Sequence, residues 1–159
     1  MLTFKMKITF YLTVLIMFLG AMASTAQARN CYSAKESEAE QGIKIHSELM
    51  VIGLNCQHMT PQGWKNFYQE YREITSRNQS LYQDYEKTLI GHYGRERKIH
   101  DLRTQFANRI STNAAAMRPD VFCATYAPRI PKVAQMSRSE LQAWAASAAQ
   151  TARQSKPRC

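Results

Sequence analysis

The residues of this 159-residue chain best suited to hold a metal or act as a nucleophile are His46, His58, His92 and His100, with Cys31, Cys56, Cys123 and Cys159. His92, Glu96 and His100 are four residues apart, which on one continuous helix would line them up as a metal site requires. Gly91 and Gly94 oppose this, because a turn there puts His92 outside the helix that carries the other two. The zinc-hydrolase spacing His-Glu-x-x-His is absent, and His46 and Glu48, two apart on a helix, point in different directions. No metal and no cofactor is expected.

Nucleophilic chemistry finds no better footing. There is no Cys-x-x-Cys redox pair, no Gly-x-Ser-x-Gly elbow and no phosphate-cradling glycine loop. An even number of cysteines argues for disulfides and against an activated thiolate. Glu48, Glu70 and Glu73 read as solvated or paired residues, since glycoside cleavage needs a pair of carboxyls whose separation only a fold can set. Asn78-Gln79-Ser80 matches a glycosylation acceptor, but the export signal leans bacterial, which leaves it unused. No catalytic residue is assigned, and the chain reads more as a binding protein than as an enzyme.

Charge and aromatic residues carry the remaining signal. Beyond the first 28 residues there are 19 basic and 12 acidic residues, a net charge of +7. Residues 29–90 hold 7 basic and 8 acidic residues and residues 91–159 hold 12 and 4, so the second half carries the excess. Such a surface attracts an acidic protein or an anionic envelope. Arg95, Arg97, Lys98, Arg103 and Arg109 are the expected anionic-surface residues, with nucleic acid not expected as a partner. Tyr68 and Tyr82 lie off the main apolar stripe of their helix and are the expected partner-contact residues.

These residues need elements to position them. Residues 1–28 read as a cleaved signal peptide: Lys5 and Lys7, an apolar run from Ile8 to Leu19, then Ala26-Gln27-Ala28. The run is shorter than the roughly 20 residues a membrane span needs, so a soluble domain over 29–159 is expected, in the periplasm or secreted. Helical periodicity dominates that domain. A first helix is expected over about 34–54, with Ile45, Leu49 and Ile52 as its stripe. A second starts at Thr60-Pro61, with Trp64, Phe67, Tyr71, Ile74, Leu81 and Tyr85 inward and Asn78 either setting register or bending it. A third covers about 95–117, ending at Arg118-Pro119. A short turn over 120–126 holds Cys123. The stretch 127–131, with two prolines three apart, reads as irregular. Ser137 or Ser139 opens a last helix through about 153, with Leu141, Trp144 and Ala148 buried.

Four cysteines allow three pairings. Cys31 and Cys56 flank a helix of some 20 residues, about 30 Å long, whereas bridged Cα atoms sit roughly 4.4 to 6.8 Å apart. If the helices alternate up and down, Cys56 and Cys123 meet at one end and Cys31 and Cys159 at the other. The expected fold is an all-α, up-and-down four-helix bundle with a short extra helical turn, stapled by two disulfides. The expected function is a small exported interaction module whose basic half meets an acidic partner or the anionic envelope. An envelope-polymer hydrolase and a carrier of a small apolar ligand are the competing expectations. Partner identity and oligomeric state are not written in the sequence.

Overall fold

The computed structural model describes residues 30–148 and 154–159; the expected signal segment and the end of the last expected helix lie outside them. The described residues divide into two units, 30–33 with 155–159, and 34–148 with 154. In the smaller unit the Cys31–Cys159 disulfide, with Cα atoms 5.0 Å apart, joins two short extended segments. Tyr32 N–H donates to the Pro157 carbonyl (2.8 Å) and Cys159 N–H to the Tyr32 carbonyl (2.9 Å), a single parallel bridge.

The larger unit is all helical among its described residues. Helix α1 (Ala34–Cys56) runs into a 3₁₀ turn (Gln57–Met59); α2 (Phe67–Arg77), α3 (Gln79–Tyr93), α4 (Arg97–Ala116), α5 (Pro119–Tyr126), α6 (Arg129–Ala134) and α7 (Arg138–Ala148) follow. Helix α1 packs against α2, α3, α4 and α7 and is the axis of the bundle. Its burial is therefore not the narrow stripe that Ile45, Leu49 and Ile52 suggest. Ser37, Ala39, Gly42, Ile43, Ser47, Val51 and Gly53 are buried as well, on every side. A helix without a solvent-facing polar side is a core helix. Each fully buried isoleucine or leucine on it contributes about 1.5–3 kcal/mol.

Several polar groups of α1 find partners inside the bundle, although the buried Gln41 Nε2 has none among the described residues. Glu48 is met by Arg129 Nη1 at 3.0 Å and Lys44 Nζ at 3.8 Å. Ser47 Oγ donates to the Ile43 carbonyl (2.8 Å), and Glu38 accepts from Tyr85 Oη (3.0 Å). The Cys56–Cys123 disulfide, Cα atoms 5.5 Å apart, ties the end of α1 to α5. The two bonds are the pairs that helix direction selects.

Several boundaries depart from expectation for local reasons. The second helix does not start at Thr60-Pro61. Asn66 caps it instead, its Oδ1 accepting from Tyr68 N–H (3.0 Å) and Gln69 N–H (3.2 Å), while residues 60–66 form a turn through Gly63 at φ +82°. Trp64 consequently leaves the core and is 56% exposed. Asn78 divides the expected long helix into α2 and α3, its buried Nδ2 donating to the Ile74 carbonyl (2.9 Å). Gly91 does not break α3: the helix ends at Gly94, which at φ +68° donates to the Ile90 carbonyl (2.7 Å) in a left-handed cap. His92 is therefore inside the helix, where Nδ1 lies 2.9 Å from Glu36 Oε1.

The stretch expected to be irregular contains α6. Pro131 is its third residue, where an amide N–H would have no partner within the helix, so the missing donor costs nothing. Ser137 opens α7 as half of a reciprocal cap: Glu140 N–H donates to Ser137 Oγ (3.3 Å) and Ser137 N–H to Glu140 Oε2 (2.7 Å). Leu141 and Ala145 are the buried residues of α7; Trp144 is only half-buried, and the Ala148 side chain lies outside the description.

Candidate functional site

Three places in the helical unit combine polar chemistry with access or burial. The first is the turn from α3 into α4. Gly94 stops α3 and residues 95–96 lead straight into α4, which sets Arg95, Arg97 and Lys98 on exposed positions, with the exposed Glu96 between the first two. With Tyr93 and Asp101 they line a cleft of about 380 Å³. Lys98 Nζ lies 6.0 Å from the Tyr93 ring centre, a cation–π contact. Among the described residues, no carboxylate comes within ion-pair distance of Arg95, Arg97 or Lys98.

The other two expected surface cations behave differently. Arg103 is turned sideways into an ion pair with Glu86, is two-thirds covered, and has its Nε buried without a protein partner. It does not belong to an open basic surface. Arg109 is exposed with its guanidinium 6.0 Å from the Phe106 ring centre, but it lies three turns along α4 from Lys98. The basic surface is thus concentrated at the start of α4.

The second place is interior. His46 Nε2 is 3.2 Å from both Tyr71 Oη and Thr75 Oγ1, and its ring stands 4.3 Å from that of Tyr82. Burial, assisted by the Arg103 charge, lowers the His46 pKa to about 4. Burial first, then the neighbouring Tyr71, raises that of the Tyr82 phenol. Tyr82 is 4% exposed with its hydroxyl buried, so it cannot meet a partner, and its expected surface role is withdrawn. The reason is that α3 turns this face onto α1, where His46 receives it. Tyr68 is half-buried, its ring stacked 6.0 Å from Tyr71, and it forms no joint surface with Tyr82. The cluster holds a neutral imidazole in place and brings no carboxylate to it, so it lacks a conventional acid–base pair.

The third place is a groove of about 480 Å³ beside the Cys56–Cys123 bond, walled by Met59, Pro61, Trp64, Phe67, Ala127 and Pro128, with Asp120 its charged residue. Sequence reasoning missed it because it spent Trp64 on the core. Asn66, three residues before Gln69 and a strong helix cap, was the available signal.

No group of three metal-ligating side chains forms among the described residues, and no described helix is long and apolar enough to cross a membrane. A cleft lined by Glu38 and Asp84 brings two carboxylates near one another, but Glu38 accepts from Tyr85 and Asp84 pairs with Arg138 at 3.2 Å. Glu70 on α2 has its pKa raised by partial burial, with Lys65 and Glu73 as its neighbouring charges.

No protein-family model, characterised protein or solved structure matches this chain. The geometry therefore has to carry the functional reading by itself.

Proposed function

We propose that the chain is a small exported binding protein, working without catalysis in the periplasm or outside the cell, and that its basic turn attaches it to an anionic envelope surface. The two disulfides fit an oxidising compartment. The observation that carries the binding reading is the exposed cluster Arg95, Arg97 and Lys98, three cations against the two nearby carboxylates Glu96 and Asp101, none of the three held in an ion pair among the described residues. Cations spaced this closely reinforce one another and attract a densely charged anionic surface. An acidic protein offers similar charge, but a plane of phosphates needs no shape match to the shallow cleft.

Co-sedimentation tests the reading. The protein should pellet with vesicles containing phosphatidylglycerol at low salt, should be released by about 0.3 M salt, where the Debye length falls below 8 Å, and should ignore neutral vesicles. Replacing Arg95, Arg97 and Lys98 together by alanine should abolish binding while leaving the fold intact. Equal pelleting with neutral vesicles, or by the triple variant, would overturn the proposal. Binding to an acidic protein but to no vesicle would redirect it to that partner.

A further inference from the structure

The groove at the other end of α4 has a chemistry of its own. Its volume, about 480 Å³, lies within the roughly 300–1,000 Å³ of small-molecule sites, and its walls are apolar. Trp64 and Met59 stay 56% and 44% exposed there, although neither is carried on a floppy segment. Trp64 N–H donates to the Pro61 carbonyl (3.1 Å), Asn66 Nδ2 donates to the Gln57 carbonyl (2.8 Å), and Phe67 N–H donates to Thr60 Oγ1 (3.3 Å). The Cys56–Cys123 bond fixes the opposite wall. The groove is thus built in advance of any occupant, which lowers the entropy that binding must overcome.

Charge then selects the occupant. The indole of Trp64 carries a negative π-face, and with the ring T-shaped to Phe67, centres 6.5 Å apart, and 56% of the residue exposed, much of it is open to an occupant. Asp120 adds a carboxylate to the same lining. An open aromatic face and a carboxylate both favour a positive head group, and the apolar walls favour hydrocarbon. From this complementarity we infer that the groove is a binding site for a small amphiphilic cation, an alkyl chain carrying an ammonium head.

Two features sharpen the inference. Arg118 grips Asp120 through Nε (3.2 Å) and Nη2 (2.9 Å), but both side chains are exposed, at 79% and 58%, and such a pair yields readily to a competing cation. The basic turn, moreover, precedes α4 and the groove follows it. Twenty helical residues separate the two by about 30 Å. A single anionic lipid cannot place its phosphate on one and its chain in the other, so this site is independent of the attachment proposed above.

The test uses the full oxidised chain carrying Trp144→Phe, so that Trp64 is its one tryptophan. Decyltrimethylammonium, decyl sulfate and a neutral decyl glycoside are titrated at monomeric concentrations and followed by Trp64 fluorescence. The ammonium probe should saturate the signal and bind at least tenfold more tightly than the sulfate, with the glycoside between. Asp120→Asn should erase most of that difference. Arg118→Ala, by freeing Asp120, should tighten ammonium binding several-fold, and Trp64→Ala should remove binding seen by calorimetry. Circular dichroism confirms that each variant is folded. The inference is overturned if the sulfate binds as well as the ammonium probe, if Asp120→Asn changes nothing, or if no probe perturbs Trp64 saturably. Vesicle attachment by the basic turn is unaffected by any of these outcomes.

Discussion

The ring of Tyr85 occupies the space that a β-carbon on Gly42 would need: an ideal Cβ there falls 2.1 Å from Tyr85 Cε2 and 2.4 Å from Cδ2. The glycine lets α3 press against α1, and Tyr85 is held in place at its far end by donating to Glu38. Gly42→Ala should cost roughly 1–3 kcal/mol, the usual penalty for overfilling a packed core. Gly91, inside α3 with open space around it, provides the contrast. Gly91→Ala should stabilise by about 0.5–1 kcal/mol through helix propensity. Urea denaturation of both variants checks the pair, and an unchanged Gly42→Ala midpoint would show that Tyr85 moves aside freely.

His46 should make stability depend on pH. Its folded pKa, about 4, lies below its ordinary value of 6.5, so the unfolded chain takes up the proton first. Protons therefore favour unfolding. The contribution of the neutral ring is complete above pH 6.5 and is lost as pH falls towards 4, a total of about 3 kcal/mol. In His46→Gln this part of the slope should vanish. Denaturation of the two proteins at pH 7, 5.5 and 4.5 would reveal it as a gap in stability that changes by up to that amount. Parallel pH profiles would rule the mechanism out.

Glu48 supplies a third expectation. The carboxylate is buried, with Arg129 and Lys44 as its counter-charges. Burial, partly offset by Glu48, lowers the pKa of Lys44, which leaves Arg129 as the stronger partner. Arg129→Met should cost roughly 3 kcal/mol, because it strands a buried charge, whereas the double change Glu48→Gln with Arg129→Met should recover much of the loss. A double-mutant cycle by thermal or urea unfolding measures the coupling, and additive losses would contradict it.

Much of this architecture was legible in the sequence, and the exceptions share a cause. Cysteine pairing followed from helix direction, a property that a run of apolar residues and its breakers already specify. The extent of α4 was likewise local, set by Pro119, and the start of the last helix was narrowed to Ser137 or Ser139, between which Glu140 decides for Ser137. Thr60-Pro61 misled because two good caps compete within seven residues, and Gly63 decides for Asn66 by turning the chain. Asn78 left two roles open until Ile74 took its amide. At the surface, the exposure of Arg95, Arg97 and Lys98 agrees with their charge, whatever they bind. That of Arg103 does not, since the approach of Glu86 on α3 draws it inward. Tyr82 is the same case on a larger scale: its burial depends on His46, 36 residues away on another helix.

The enclosure of α1 divides the chain by its freedom to vary. The other long helices each keep an outward side on which side chains can be exchanged at little cost. Along most of α1, from Ser37 to Cys56, almost every position is committed to a neighbour, down to the glycines that admit Tyr85 and the backbone of Tyr68. Change should therefore accumulate on the outer helices while this segment stays nearly fixed. The Ala34–Cys56 stretch is the part of the sequence by which a distant relative would be recognised.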